Sequence, residues 1–181
     1  MADTPTLYYN ALMNMLSAEH SKAQMLKIVT YIGNNQKKFD QLTAIFLTEP
    51  YRMSQRASWP LSNCAERYPS LVKKHLPVLL QFAKEENRHP SIKRNVMRIF
   101  AIVNIPKNMH GEIMNECIGN IENPSEAIAV QAFSLGILQK LTKIYPEIYS
   151  EIEMIIENRL PHASPAFISR VNKYRKAFYT K

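Results

Sequence analysis

The chain has 181 residues, a formal net charge of +8 at neutral pH and only four glycines. That length suits one substantial hydrophobic core, and scarce glycine with no alternating Val, Thr and aromatic runs argues against a β-sheet protein. No apolar run approaches the ~20 residues that span a bilayer, the longest being Ile99–Val103. The first residues carry no positive segment ahead of their apolar part, so they do not read as a signal peptide, and a cytoplasmic location is expected.

The expected helices, in chain order, are 6–17, 20–33, 36–48, 51–67, 70–86, 90–104, 107–121, 125–144, 147–159 and 165–179. The first two supply Met13, Met15, Leu16, Met25, Leu26, Ile28, Val29 and Ile32 as apolar positions. The third carries Leu42, Ile45, Phe46 and Leu47. The fourth has two faces. Met53, Ala57, Leu61, Cys64 and Tyr68 recur at three- or four-residue steps and line an apolar stripe; Arg52, Arg56, Trp59, Asn63 and Glu66 line a second, basic one. Pro60 lies inside this helix and removes the amide that would bond the Arg56 carbonyl, so a kink is expected there, with a second at Pro77 in the fifth helix.

Leu71, Val72, Leu76, Val78, Leu79, Leu80 and Phe82 are the expected core of the fifth helix. The sixth buries Ile92, Val96, Ile99, Phe100 and Val103 and shows Lys93, Arg94, Arg98 and Ala101. The seventh contributes Ile113, Met114, Cys117 and Ile118. The eighth contributes Ile128, Ala132, Leu135, Ile137, Leu138 and Leu141 and places Gln131 where the fourth helix has Arg56. The ninth is acidic, and the last sets Phe167, Ile168, Val171 and Phe178 beside Arg170, Lys173, Arg175 and Lys176.

Prolines 50, 69, 90, 106, 124, 146 and 165 follow one another at 16 to 22 residues, each suited to the first turn of a helix. Arg56, Arg94, Gln131 and Arg170 are spaced by 38, 37 and 39 residues, and Tyr68-Pro69, Ile105-Pro106 and Tyr145-Pro146 by 37 and 40. Two series with one period describe a repeat of two antiparallel helices, the signature of an α-solenoid. The expected fold is all-α, a right-handed α-α superhelix of about ten antiparallel helices in a single domain, 1–181, with residues 1–34 capping repeats at 35–181.

The charge is regional. Residues 51–110 hold 11 basic and 3 acidic groups, residues 111–160 hold 3 and 8, and residues 161–181 hold 5 and none. If second helices line a concave surface, Arg52, Arg56, Trp59, Asn63, Arg94, Arg98, Gln131, Arg170 and Lys173 face one groove. Arginines four apart can grip an oxyanion and Trp59 can stack on a base or a cation. Cys64 and Cys117 each fall in a helical pattern and read as buried reduced thiols. His20, His75, His89, His110 and His162 are scattered and none stands at metal-ligand spacing with another His or a Cys. No phosphate loop and no nucleophile–base–orienter set is readable, so neither catalytic residues, metal nor cofactor is expected.

The proline-led first helices, the paired apolar stripes and the recurring Arg56, Arg94 and Arg170 resemble HEAT-like repeats over roughly residues 35–181. More narrowly, MSQRASWPLSNCAERYPSLVKKHLPVLL, QAFSLGIL and SPAFISRVNKYRKAF are similar to a family of small bacterial HEAT-like proteins. Some members carry the name adenylosuccinate lyase, whose SSxMPxKxNP-type loop this sequence lacks. The solenoid architecture and its basic groove together lead to the expectation of a non-enzymatic interaction scaffold that holds an acidic protein segment. A nucleic-acid binder is the alternative, related in architecture to the HEAT-like DNA glycosylases that act on alkylated bases.

Overall fold

A computed structural model describes residues 7–85 and 89–179 of the chain, without the side chain of Tyr179. Eleven α-helices run through these residues: α1 (Leu7–Ala18), α2 (Lys22–Ile32), α3 (Gln36–Thr48), α4 (Tyr51–Arg67), α5 (Pro69–Val72), α6 (Leu76–Lys84), α7 (Pro90–Ile102), α8 (His110–Glu122), α9 (Ile128–Thr142), α10 (Tyr149–Arg159) and α11 (Pro165–Tyr179). Short 3₁₀ turns at Lys73–His75, Lys107–Met109, Pro146–Ile148 and Leu160–His162 join or end them. The expected helix ends agree to within a few residues. Thr6 and Glu86, the expected outer ends of the first and fifth helices, lie outside the described residues.

The fifth expected helix differs most. It divides into α5, the turn Lys73–His75 and α6, with Pro77 in the first turn of α6. The proline therefore starts a new helix instead of kinking an old one, because its missing amide costs nothing in a first turn. Helix α4, by contrast, continues through the buried Pro60. An interior proline costs a helix roughly 3 kcal/mol, and tertiary burial of Ala57, Leu61, Cys64 and Ala65 offsets that here.

The chain forms two compact units, Met1–Asn104 and Ile105–Lys181. In the first, α3 packs on α4, α6 on α7, and α4 on both α2 and α7. Its core holds Leu12, Ile28, Phe39, Leu42, Phe46, Leu61, Leu79, Val96 and Phe100, each fully or almost fully buried. In the second, α8 packs on α9 and α10, and α9 on α11, around Ile113, Leu135, Leu138, Ile156, Val171 and Tyr174. Several apolar residues expected inside stand outside: Leu26, Val78, Ile128 and Ile168 are all exposed.

A polar seam runs between α4 and α7. Ser58 and Ser62, four residues apart, are buried there, while the buried Ser54 one turn earlier donates to the Phe46 carbonyl of α3 at 2.5 Å. The Asn95 amide donates to the Ser58 hydroxyl at 3.0 Å and to the Ser91 carbonyl at 2.8 Å. The Ser62 hydroxyl lies 3.1 Å from Asn95 Oδ1 and 3.0 Å from the Trp59 carbonyl. The contacts Ser58–Asn95 and Glu66–Arg98 advance together, so α4 and α7 run in the same direction. That is the relation of second helices in successive two-helix repeats.

Helix ends supply a second set of polar contacts. The first and last turns of any helix leave backbone groups without intrahelical partners. Arg56 Nη1 donates to the carbonyls of Leu16 and Ser17, at the end of α1, at 2.8 and 3.0 Å. Gln36 donates to the Leu71 carbonyl at 2.9 Å, and in the second unit Arg159 donates to the Ile121 carbonyl at 2.6 Å. Gln36 also meets the Asp40 carboxylate, joined there by Lys74 and His75, each 2.7 Å away. Burial alone would raise the Asp40 pKa; the donors from Lys74, Gln36 and His75 outweigh it and hold the carboxyl below its ordinary value. That contribution is present above the ordinary carboxylate range and is lost as pH falls through the lowered pKa.

Two stability measurements check these joints. Asn95→Ala should lower the unfolding free energy of the full chain by about 1–3 kcal/mol in urea titration, because two buried hydroxyls each lose one of their partners and the packed amide is removed. Arg56→Ala should cost about 1–2 kcal/mol, while Arg94→Ala, at an exposed position, should stay within about 0.5 kcal/mol of the parent. Equal effects of the two arginine variants would show that the capping bonds contribute nothing.

Candidate functional site

The basic stripe expected from the sequence falls on second helices of both units, and its members differ in what they touch. On α4, Arg52 is exposed. Arg56 is only half-exposed, with its guanidinium turned back onto the end of α1. Trp59 meets the His20 ring edge-on at 6.0 Å between centroids. Both rings line a small recess with Glu19, Arg56 and Pro60, of about 10 Å3, room for one water. Asn63 donates to the Trp59 carbonyl at 2.9 Å, so it reinforces its own helix just past Pro60.

On α7, Arg94 is exposed and Arg98 forms an ion pair with Glu66 of α4. Neither Arg52 nor Arg94 meets a carboxylate among the described residues. The first unit thus presents two unpaired guanidiniums, from neighbouring helices that run in parallel, with Trp59 half-exposed on one of them.

In the second unit, Gln131 is not at the surface. It is 1% exposed and its amide donates to the carbonyls of Asn123 and Glu126, at 2.9 and 3.0 Å. Its Oε1 is buried without a partner among the described residues. The residue that shares the period of Arg56 therefore anchors the connection between α8 and α9. Arg170 and Lys173 are exposed on α11 and meet no carboxylate among the described residues. They line a pocket of about 120 Å3 between α9 and α11 with Ala132, Leu135, Gly136, Gln139 and Tyr174. Arg175, one turn on, is different: Glu153 and Glu157 of α10 hold it.

The two thiols are withdrawn from solvent. Cys64 and Cys117 are buried and unbridged, as expected. Burial pushes the Cys64 thiol up to about 12, only partly opposed by the charge of Arg67, so the thiolate is absent at neutral pH. His110 is buried between the Ile105 carbonyl, 3.0 Å from Nε2, and the Tyr145 hydroxyl, 3.1 Å from Nδ1. With the proton on Nε2 both ring nitrogens are satisfied, and the ring fixes the start of α8. Among the described residues no group of three or more His, Cys, Asp or Glu could hold a metal ion, and no helix is long and apolar enough to cross a membrane.

Sequence reasoning missed Gln139 and Gly136. Nothing in the period of 38 marks them, and only the approach of α11 to α9 makes them the wall of a pocket.

Comparison with curated proteins and with solved structures gave no match. A family profile did: the HEAT repeat domain matches residues 12–177, from within α1 to within α11. The match takes in most of the two helices expected to cap the repeats. With nearly the whole chain covered by that match and the described residues all-α in their regular structure, the chain belongs to the HEAT repeat family.

Proposed function

We propose that this protein is an interaction scaffold whose first unit holds an acidic protein segment against α4 and α7. HEAT repeats serve as scaffolds for protein interaction in general, and extended solenoid surfaces suit an extended segment. The observation that carries the finer reading is the pair Arg52 and Arg94. Both are exposed and neither meets a carboxylate among the described residues, although Arg98 beside them is paired with Glu66. Two free guanidiniums on adjacent parallel helices match a segment with acidic residues on one side, each able to accept a bidentate bond. A protein segment suits the surface better than a nucleic acid. Stacking of bases asks for an open aromatic face, and Trp59 already packs against His20 beside a recess with room for one water.

Titration of a fluorescein-labelled Glu- and Asp-rich peptide, read as anisotropy, tests this. The Arg52→Glu, Arg94→Glu double variant should bind at least ten-fold more weakly, about 1.4 kcal/mol, with an unchanged unfolding midpoint. Binding should also weaken as salt rises. Tighter binding of a single-stranded oligonucleotide than of the peptide, with a steep salt slope, would replace this reading with the nucleic-acid alternative. A double variant that binds the peptide as well as the parent would remove Arg52 and Arg94 from the account.

A further inference from the structure

Outside the first unit, one cavity combines enclosure with unspent polar groups. It lies between α9 and α11 and measures about 120 Å3. Ala132, Gly136 and Gln139 follow one another at steps of four and three, so they share a face of α9. Leu135 adjoins them, and Arg170, Lys173 and Tyr174 close the space from α11. The Tyr174 side chain is buried and hydrogen-bonds toward Thr142 at 3.5 Å, so it offers the cavity its ring. The apolar part of the lining is thus an alanine, a leucine, a glycine and an aromatic ring.

The polar lining is of the opposite kind. Arg170, Lys173 and Gln139 have no hydrogen-bond or ion-pair partner among the described residues. Elsewhere in the same unit such groups are engaged: Arg159 caps α8, Arg175 grips two glutamates and Gln131 donates twice. One guanidinium, one ammonium and one amide, all unspent, meet at the rim of a single apolar recess.

We propose that this pocket binds a carboxylate carried on a short aliphatic stem. The stem fits the recess over Gly136, where a side chain would otherwise stand. The carboxylate meets Arg170 and Lys173 as charge partners and Gln139 as a neutral donor. An inorganic phosphate has no apolar part to place against Leu135 and Tyr174, and an amine or alcohol of the same length leaves the two cations unpaired. A glutamate side chain of a bound peptide and a free dicarboxylate both carry this group. The site stands on its own residues in the second unit and does not depend on the peptide surface of α4 and α7.

The test is amide NMR of the full chain, titrated separately with n-butyrate, glutarate, n-butanol, n-butylamine and inorganic phosphate. Butyrate and glutarate should move the Ala132, Gly136 and Gln139 amides saturably, at millimolar ligand. Arg170→Gln with Lys173→Gln should weaken butyrate binding at least ten-fold. Both positions are exposed, so the rest of the spectrum should be unchanged. Gly136→Ala should weaken butyrate binding while keeping the fold, since a Cβ at Gly136 meets nothing within 4 Å. A Glu-containing tetrapeptide that binds tighter than glutarate assigns the carboxylate to a peptide; the reverse order assigns it to a free acid. The proposal falls if butyrate gives no saturable shift, if butanol or butylamine shifts the same amides as strongly, if phosphate binds as tightly as butyrate, or if the double variant binds butyrate like the parent. Loss of peptide binding by the Arg52, Arg94 variant would leave all of these readouts in place.

Discussion

Every helix end leaves backbone carbonyls in need of donors, and this chain has few of the usual means to supply them. A helix often stops on a glycine in the left-handed conformation, whose amide closes the last turn. Among the described residues only Gly33 adopts positive φ, at the end of α2. Long polar side chains from a neighbouring repeat act elsewhere. Arg56 reaches the end of α1, 40 residues back, and Arg159 reaches the end of α8, 38 residues back. Gln36 reaches the carbonyl of Leu71, 35 residues ahead. Each such bond satisfies a carbonyl and also fixes how one two-helix repeat sits on the next. In a repeat protein, where each unit contacts only its neighbours, those joints set the alignment that apolar packing alone leaves loose.

The seam of Ser58, Ser62 and Asn95 is the lateral counterpart of those joints. Small hydroxyls let α4 and α7 approach closely, and the single asparagine amide ties two of them together. Buried polar groups cost free energy unless paired, so a slip of α7 along α4 would leave Asn95 unmatched. Asn120 and Ser134 make the same kind of link between α8 and α9, at 3.2 Å. Apolar burial drives the helices together, and these few polar pairs select one register.

Local signals made the helices legible. Prolines at first turns and three-to-four-residue apolar steps depend only on nearby sequence, so α3, α4, α7 and α11 fall almost where the spacing puts them. The period near 38 was legible too, but its meaning was not. A recurring arginine marks a recurring place in the repeat and does not say whether another element covers that place. At Arg56 the end of α1 covers it; at Gln131 the α8–α9 connection does; at Arg94 and Arg170 no described residue does. Exposure of Leu26, Val78, Ile128 and Ile168 has the same origin, since one helix face looks identical in sequence whether or not a partner arrives to bury it. The buried serines were missed because a hydroxyl bonded to a backbone carbonyl or to Asn95 behaves as a small core residue while reading as polar.

Subtraction then decides which charges are available for recognition. A net charge of +8 suggests a broad basic surface, yet much of it is committed to the fold. Arg56 and Arg159 hold helix ends, Arg98 and Arg175 hold glutamates, and Lys74 holds Asp40. An arginine already giving its donors to carbonyls or carboxylates has little left for a ligand, because the fork geometry that makes it a good binder is occupied. Among the cations that remain, Arg52 and Arg94 stand open on parallel helices, whereas Arg170 and Lys173 border a recess between α9 and α11. Open cations attract any extended anion, with a strength that salt erodes. Cations beside an apolar recess select for the shape of what carries the charge, since desolvation strengthens the pairing only when the stem fills the space.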